Sequence, residues 1–331
     1  MPMFASPADV HYDAYLTNVG IAYLQDTTQF VASRIFPEVN VTKQSDRYYV
    51  WNRGERNRAD FAKRAPSTES RGITRNLSHD TYFAEKWALH YDVSDEERAN
   101  ADPAIQIERL ATTDLMFKGL LTKEINFATD FMKTGVWSVD YTGVASSPGT
   151  GDLLQWNDAN SNPIEDIQAA ATAMQLRTGG FRPNKLALSQ NVRDKLVRHP
   201  DIIDLIKYGG SAQNPAVVTD QTLAAVLGIE QVLTMGAVRN SSAEGVAESN
   251  AFINSRNALL VYAPNEPSTM LPSAGYTFNW TGYMGNSPNG IRVGSFRMEH
   301  IKSDRIEAEM FFAQKVTGSD LGTYFHNIVA A

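Results

Sequence analysis

The sequence predicts an α+β protein that combines one long helix, an antiparallel sheet and an inserted α/β domain. Three observations lead to this prediction. A long polar, basic segment lies between two strand-like runs, an apolar helical pattern extends over residues 103–133, and alternating strand patterns occur near the end of the chain. At 331 residues, the chain is long enough for roughly two domains of about 150 residues each.

The composition excludes several classes of protein. The chain is 43% hydrophobic and 20% charged, as globular proteins are, and it has no cysteine. Disulfides, thiolate metal sites and cysteine nucleophiles are therefore excluded. Residues 1–10 lack the pattern of a signal peptide, and no run of roughly 18 apolar residues occurs, so we expect no membrane contact.

Residues 1–40 are predicted to be an N-terminal arm and residues 41–91 an extended loop, a basic β-hairpin. Strand-like runs at 47–51 and 81–84 flank a polar stretch at 52–75 that has almost no large apolar side chains. Connections longer than about 12–15 residues are uncommon in compact domains unless they are functional or disordered. The extended loop therefore needs a partner surface.

Charge indicates what that partner is. Residues 43–75 contain nine basic and four acidic side chains, a net charge of +5, so the rest of the chain carries −12 of the total of −7. A basic loop on an acidic body suggests that the loop docks on another copy of the same chain. Five basic side chains are candidates for this contact: Arg53, Arg56, Arg58, Lys63 and Arg64.

The next segment supplies the acidic counterpart and a long helix. The candidate acceptors are Asp95, Glu96 and Glu97. Asp102 followed by Pro103 is a strong helix start, and apolar residues then recur at helical spacing as far as residue 133. Such a helix is about 45 Å long at 1.5 Å per residue. Gly119 at its middle indicates a bend or a close contact.

The rest of the chain predicts a second unit and returning strands. Residues 136–160 have the composition of a loop, and residues 160–270 alternate helices with short strands. Residues 291–301 and 305–315 predict a long hairpin, in which Ile306, Ala308, Met310 and Phe312 face one way. These strands are expected to cover the long helix, so that the first domain is discontinuous in sequence.

The order of these elements resembles the major capsid proteins of tailed bacteriophages with the Hong Kong 97 fold. Residues 35–39 (IFPEV) and 91–98 (YDVSDEER) are also similar to phrases of that family. The resemblance covers nearly the whole chain. It implies an N-terminal arm at 1–40, an extended loop at 41–91, a peripheral domain at 92–159 and 271–331 with a spine helix at 103–133, and an axial domain at 160–270.

The resemblance also implies a structural function. Pentamers and hexamers of one subunit would build an icosahedral shell around phage DNA, with assembly in the host cytoplasm and a final location in the virion. No long helical segment precedes the extended loop, so a separate scaffolding protein is expected. A portal protein and a decoration protein are further partners of such shells, and the packaged DNA is held without sequence-specific binding.

The sequence contains no motif that supports a catalytic or ligand-binding site. We therefore predict no catalytic, cofactor-binding or metal-binding residues. The six histidines are scattered, and neither a His-Glu-x-x-His nor a Gly-x-Ser-x-Gly motif occurs. The acidic cluster 92–97 offers oxygen ligands for a hard cation but lacks the glycine-centred loop of a calcium site. Arginines interleaved with Tyr48, Tyr49 and Trp51 leave nucleic-acid binding by the extended loop as a rival hypothesis.

Two alternative functions remain at this point. An encapsulin-type compartment shell has the same fold and encloses protein cargo. A soluble α/β enzyme with an unrecognised site is the second alternative, and a stable monomer with no tendency to assemble would favour it.

Overall fold

A computed structural model describes residues 28–330, apart from 52–53, 55–56, 75, 101–106, 208–217, 244, 268–270, 286 and 288–289. Two larger sheets and two separate two-stranded ribbons are present in the described chain. With the helices, they confirm the predicted α+β class. The short elements outside the larger sheets are α1 (Ala32–Ile35), α2 (Asp95–Asn100), β9 (Val238–Asn240), β10 (Asn250–Phe252), α8 (Thr281–Met284) and the 3₁₀ turn Ser319–Leu321.

The five-stranded sheet is centred on one long strand. This strand, β14, pairs antiparallel with β4 along one edge, and with β13 and then β12 along the other. Strand β1 adds to β12 in parallel. The strands are β1 (Glu38–Val41), β4 (Glu85–Ser94), β12 (Gly275–Trp280), β13 (Ile291–Met298) and β14 (Ser303–Val316).

The spine helix, α3 (Ile107–Phe131), packs on this sheet. Four of its buried apolar side chains, Ala111, Leu115, Met116 and Leu120, form one cluster with residues of β13 and β14. The four side chains predicted to share one face of β14 are Ile306, Ala308, Met310 and Phe312. All four lie in that cluster, which confirms the predicted alternation of side chains along the strand. The predicted start at Asp102 and Pro103 lies outside the described residues.

Gly119 marks a close contact between the helix and the sheet. A Cβ atom at this position would lie 3.0 Å from Cδ1 of Ile291 and 3.8 Å from Sδ of Met310. Both side chains come from the sheet that the helix covers. Glycine therefore allows the middle of the helix to approach β13 and β14 closely.

The second sheet has six strands in the order β6-β5-β15-β11-β7-β8. Pairing is parallel for β5–β6, β5–β15 and β7–β8, and antiparallel on both sides of β11. The strands are β5 (Val139–Val144), β6 (Asp152–Leu154), β7 (Lys185–Ser189), β8 (Gln231–Met235), β11 (Ala258–Val261) and β15 (Gly322–His326).

Both faces of the six-stranded sheet are buried. One face packs with the helices of the axial segment, while the other packs against α1 and the last turns of α3, including Phe127 and Phe131. Strands covered on both faces have nearly continuous apolar sequences, as in β7 and β11. The helices of the axial segment are α4 (Pro163–Thr178), α5 (Gln190–Val197), α6 (Pro200–Lys207) and α7 (Asp220–Leu227).

Two segment boundaries predicted from the sequence differ from the boundaries that the observed strand pairing indicates. Strand β4 pairs with β14 over ten residues, so the extended loop proper ends at residue 83 and not at 91. Residues 139–144 and 152–154, predicted as a loop of the peripheral domain, lie in the six-stranded sheet because β15 pairs with β5 and β5 with β6. These residues were predicted as a loop because the segment is rich in Gly, Ser and Asp. Local composition does not reveal that they pair with a strand far away in the sequence.

Candidate functional site

The extended loop is a two-stranded ribbon whose base is anchored on the five-stranded sheet. Strands β2 (Ser45–Trp51) and β3 (Leu77–Phe83) pair antiparallel. Tyr82 stacks on Phe278 of β12 with ring centroids 4.5 Å apart, and Tyr48 stacks on the same ring at 5.7 Å. The Tyr48 hydroxyl donates across the ribbon to Asp80 at 2.8 Å. These aromatic contacts fix the direction in which the ribbon leaves the body.

Beyond this base, the tip carries the predicted basic residues into solvent. Arg58, Lys63 and Arg64 are exposed, and none of them has a carboxylate within 4.0 Å among the described residues. Arg53 and Arg56 lie outside the described residues. In the tip, Arg71 pairs with Asp60 at 3.8 Å. The described basic side chains are therefore available to a partner.

One side chain of the tip contacts the body of its own chain. The Asn57 amide donates to the carbonyl oxygen of Gly179 at 2.9 Å. Gly179 ends α4 with φ 75°, a left-handed conformation that favours glycine. This contact is exposed, so it orients the tip without burying it.

Exposed apolar side chains accompany the basic ones. Phe61 and Ile73 in the tip are 107% and 60% exposed, and Tyr49 on β2 is 68% exposed. Sequence reasoning treated this stretch as nearly free of large apolar residues. The sequence does contain a signal for these residues. A segment that cannot form a core of its own leaves isolated apolar residues without partners in the same chain, so such residues indicate a contact surface. Together with the cations, they form a mixed apolar and basic surface.

The three carboxylates predicted to bind the basic loop of a neighbour differ in the contacts that they make within their own chain. The Asp95 carboxylate accepts two hydrogen bonds from the Arg297 guanidinium, at 2.7 and 2.6 Å. Glu97 is part of a capping box, because its carboxylate accepts from the Ser94 N–H and its own N–H donates to the Ser94 hydroxyl. Glu96 is exposed and forms no such contact within the described chain.

Two aspartates of the acidic cluster, Asp92 and Asp95, are paired with arginines of β14 and β13. Arg305 donates two hydrogen bonds to Asp92, at 2.7 and 2.8 Å. The guanidinium partners hold the pKa of Asp92 and of Asp95 below the usual range, mainly through these hydrogen bonds. In the part of the chain that the structure describes, no group of three or more His, Cys, Asp or Glu side chains could hold a metal ion.

A buried histidine and serine show a partial likeness to a hydrolase pair. The Nε2 atom of His199 lies 3.2 Å from the Ser161 hydroxyl, and its Nδ1 atom lies 3.9 Å from the Asp201 carboxylate. The Ser161 hydroxyl donates to the Asp158 carbonyl at 2.7 Å, and both Ser161 and His199 are buried. The pair joins the turn before α4 to the junction of α5 and α6.

The chain is similar in sequence to a phage capsid protein over its full length. It is 24% identical over 326 residues to the major capsid protein of Pseudomonas phage JBD67, covering 98% of this chain and 100% of that protein. No family model matches the chain. Among the described residues, no helix is long and apolar enough to cross a membrane.

The fold is that of solved phage proteins. A phage-related protein from Bordetella bronchiseptica superposes with a TM-score of 0.71 at 20% identity, covering 97% of this chain and 99% of that one. The capsid of the cyanophage P-SCSP1u superposes with a TM-score of 0.56 at 11% identity, covering 88% and 86%. The capsid fold implied by the resemblance to tailed-phage proteins is thereby confirmed.

Proposed function

We propose that this chain is the major capsid protein of a tailed phage and assembles into an icosahedral head shell. The observation that carries the proposal is a capsid fold shared over nearly the whole chain, together with a ribbon that projects without a core of its own. A two-stranded ribbon is marginally stable alone, so contact with a neighbouring subunit completes it.

In this proposal the tip of the extended loop docks on the acidic end of a neighbour. Arg58, Lys63 and Arg64 are exposed donors, and Arg53 and Arg56 belong to the same sequence run. On the neighbour, Glu96 and Glu97 are preferred over Asp95, because Arg297 already binds Asp95 within its own chain. Each exposed pair contributes about 0–1 kcal/mol, so repetition around the shell and apolar burial at Phe61 supply the affinity.

The proposed partners follow from the shell. Copies of the chain form pentamers and hexamers, assembled in the host cytoplasm with a separate scaffolding protein and a portal protein. A decoration protein and packaged DNA, held without sequence-specific binding, complete the virion. The same proposal gives the chain no catalytic role and no cofactor.

An encapsulin-type shell is less favoured, because the similar protein of Pseudomonas phage JBD67 is a major capsid protein and is matched over its whole length. A soluble enzyme is also less favoured. The Ser161–His199 pair is buried, and its third group, Asp201, lies beyond hydrogen-bond distance.

Charge reversal tests the docking. We expect Arg58, Lys63 and Arg64 replaced together by glutamate to leave the subunit folded but to prevent shells, as seen by circular dichroism and negative-stain microscopy. A control triple with the same charge change, Lys195, Arg198 and Lys207 to glutamate on α5 and α6, should still assemble. If the variant with Arg58, Lys63 and Arg64 replaced is instead unfolded, the ribbon stabilises the body of its own chain.

A compensating swap tests the acceptor. Replacing Glu96 and Glu97 by lysine should block assembly alone and restore shells when combined with the loop triple. If the combined variant assembles no better than either parent, these two carboxylates are not the acceptor.

A further inference from the structure

Strand β4 forms an open edge of the five-stranded sheet. It pairs with β14, and among the described residues no other strand pairs with it. Leu89 and Tyr91 lie on the same face of β4 as Trp87 and Val93, which pack into the core beneath the spine helix, yet they are 46% and 44% exposed. An open edge with exposed apolar side chains is a template for another strand.

The backbone groups of β4 alternate between β14 and the open edge. Next to the pairing of Ser94 with Ser303, the Asp95 N–H donates to the Lys302 carbonyl at 3.1 Å. Because directly opposed residues of an antiparallel pair are hydrogen-bonded at every second position, the odd-numbered residues of β4 bond β14. The even-numbered residues therefore direct their N–H and C=O groups toward the open edge.

The open part of this edge has two definite ends. At its start, the Ala84 N–H donates to the Gln44 carbonyl at 2.9 Å, where the extended loop occupies the edge. At its other end, the Ser94 N–H donates to the Glu97 carboxylate at 3.2 Å. Between these ends, four residues direct backbone groups outward that have no partner within the described chain: Lys86, Ala88, His90 and Asp92.

We propose that this edge pairs antiparallel with the same edge of a second copy, about a two-fold axis at Leu89. Leu89 is the midpoint of the four outward residues, so the axis places each of them opposite another member of the set. Ala88 then bonds His90 of the second copy, and Lys86 bonds Asp92 of the second copy. A two-fold contact of this kind satisfies the same groups in both copies.

The two ends of the open edge fix this register. An axis at His90 would place Lys86 opposite Ser94, whose N–H is already bonded to Glu97. An axis at Ala88 would place Asp92 opposite Ala84, whose N–H is already bonded to Gln44. The axis at Leu89 is the register in which all four outward residues meet open partners.

Side chains agree with the same register. Lys86 lies opposite Asp92 of the second copy, so the charged pair across the axis has opposite signs, and like charges do not face each other. On the apolar face, Leu89 meets Leu89 of the second copy, and Tyr91 meets Trp87. The contact therefore covers the two exposed apolar side chains of β4.

This contact is separate from the docking of the extended loop, because it uses none of the residues at the tip. It rests on the proposed self-assembly only in one respect, which is that its partner is a second copy of the chain.

Single cysteines test the register, because the chain has no cysteine of its own. Leu89→Cys places two thiols at an opposed pair without backbone hydrogen bonds, where Cα atoms lie about 4.5 Å apart, within disulfide reach. Tyr91→Cys is the matched control, because it is similarly exposed but its two copies would lie about 13 Å apart along the strands.

Under mild oxidation, we expect Leu89→Cys chains to form disulfide-linked dimers about tenfold faster or more than Tyr91→Cys chains. Equal rates in the two variants would indicate random collision and would overturn the proposal.

Hydrogen exchange of the wild-type chain tests the backbone pairing without a substitution. We expect the amides of Ala88 and His90 to exchange about tenfold slower or more in concentrated samples or shells than in the dilute chain. The amide of Leu89, which bonds β14, should change little. Slow exchange without any shells would keep this contact and reject the shell. Shells that leave these two amides unprotected, with Leu89→Cys chains unlinked, would reject the contact and keep the shell.

Discussion

Glu124 on the spine helix shows how one buried carboxylate joins the N-terminal end of the described chain to the core. Its Oε2 atom accepts hydrogen bonds from the N–H groups of Val31 and Ala32, at 3.0 and 2.8 Å. Its Oε1 atom is buried without a partner among the described residues. Burial raises the pKa of Glu124 to about 7, partly offset by the two backbone donors.

The raised pKa predicts a stability change with pH. The folded state binds the proton of Glu124 more tightly than the unfolded chain does, so this stabilisation is complete below pH about 4.5 and is lost as pH rises through about 7. Between these two pH values, we expect the free energy of unfolding of the wild type to fall by on the order of 3 kcal/mol relative to that of Glu124→Gln. Denaturant unfolding at each pH measures both. Glu69→Gln, an exposed control, should follow the wild type; if Glu124→Gln does so too, Glu124 does not titrate in this range.

At the scale of elements, the ribbon depends on an aromatic anchor that sequence patterns do not reveal. Tyr82 is 6% exposed and packs with Phe278 and Ala313, while its hydroxyl donates to the Lys43 carbonyl. The rest of β3 is exposed. Within β3, Tyr82 is therefore the side chain that joins the ribbon to the body.

Removing that anchor should free the ribbon. We expect Tyr82→Ala to lower the local opening free energy of residues 77–83 by about 1–3 kcal/mol, measured by hydrogen exchange, with the spine helix unchanged. Tyr49→Ala, on the exposed side of the same ribbon, is the control and should have little effect. Equal losses in both variants would mean that the anchor is elsewhere.

At the scale of the whole molecule, charge is divided between a basic loop and an acidic body. Between exposed groups such attraction is screened, with a Debye length of about 10 Å at 0.1 M salt. Association through these charges is therefore expected to be faster at low ionic strength. Apolar side chains such as Phe61 add a contribution that salt does not weaken.

Assembly should therefore depend on salt. We expect light scattering to show slower assembly as the salt concentration rises from 0.05 to about 0.5 M, by roughly tenfold or more. The charge-swapped variant, with loop glutamates and acceptor lysines, should retain this dependence. A rate that does not change with salt would leave apolar burial as the main driving force.

The sequence by itself determined the elements with strong local periodicity. The long helix, the inner face of β14 and the helices of the axial segment follow from apolar spacing, because a repeating buried face is written into the local order of residues. The basic loop and its acidic counterpart also follow from composition alone. Among the candidate residues, Arg58, Lys63 and Arg64 are exposed, and their contact with a neighbouring subunit stays a prediction.

Only the tertiary structure decided which strands share a sheet and which charges are already paired. Strand β15 joins β5 and β11 over long sequence separations, which places residues 139–144 and 152–154 in the six-stranded sheet. Asp95 is bound by Arg297 from more than 200 positions away. Pairings of this kind depend on the three-dimensional path of the chain, and no local pattern of residues records them.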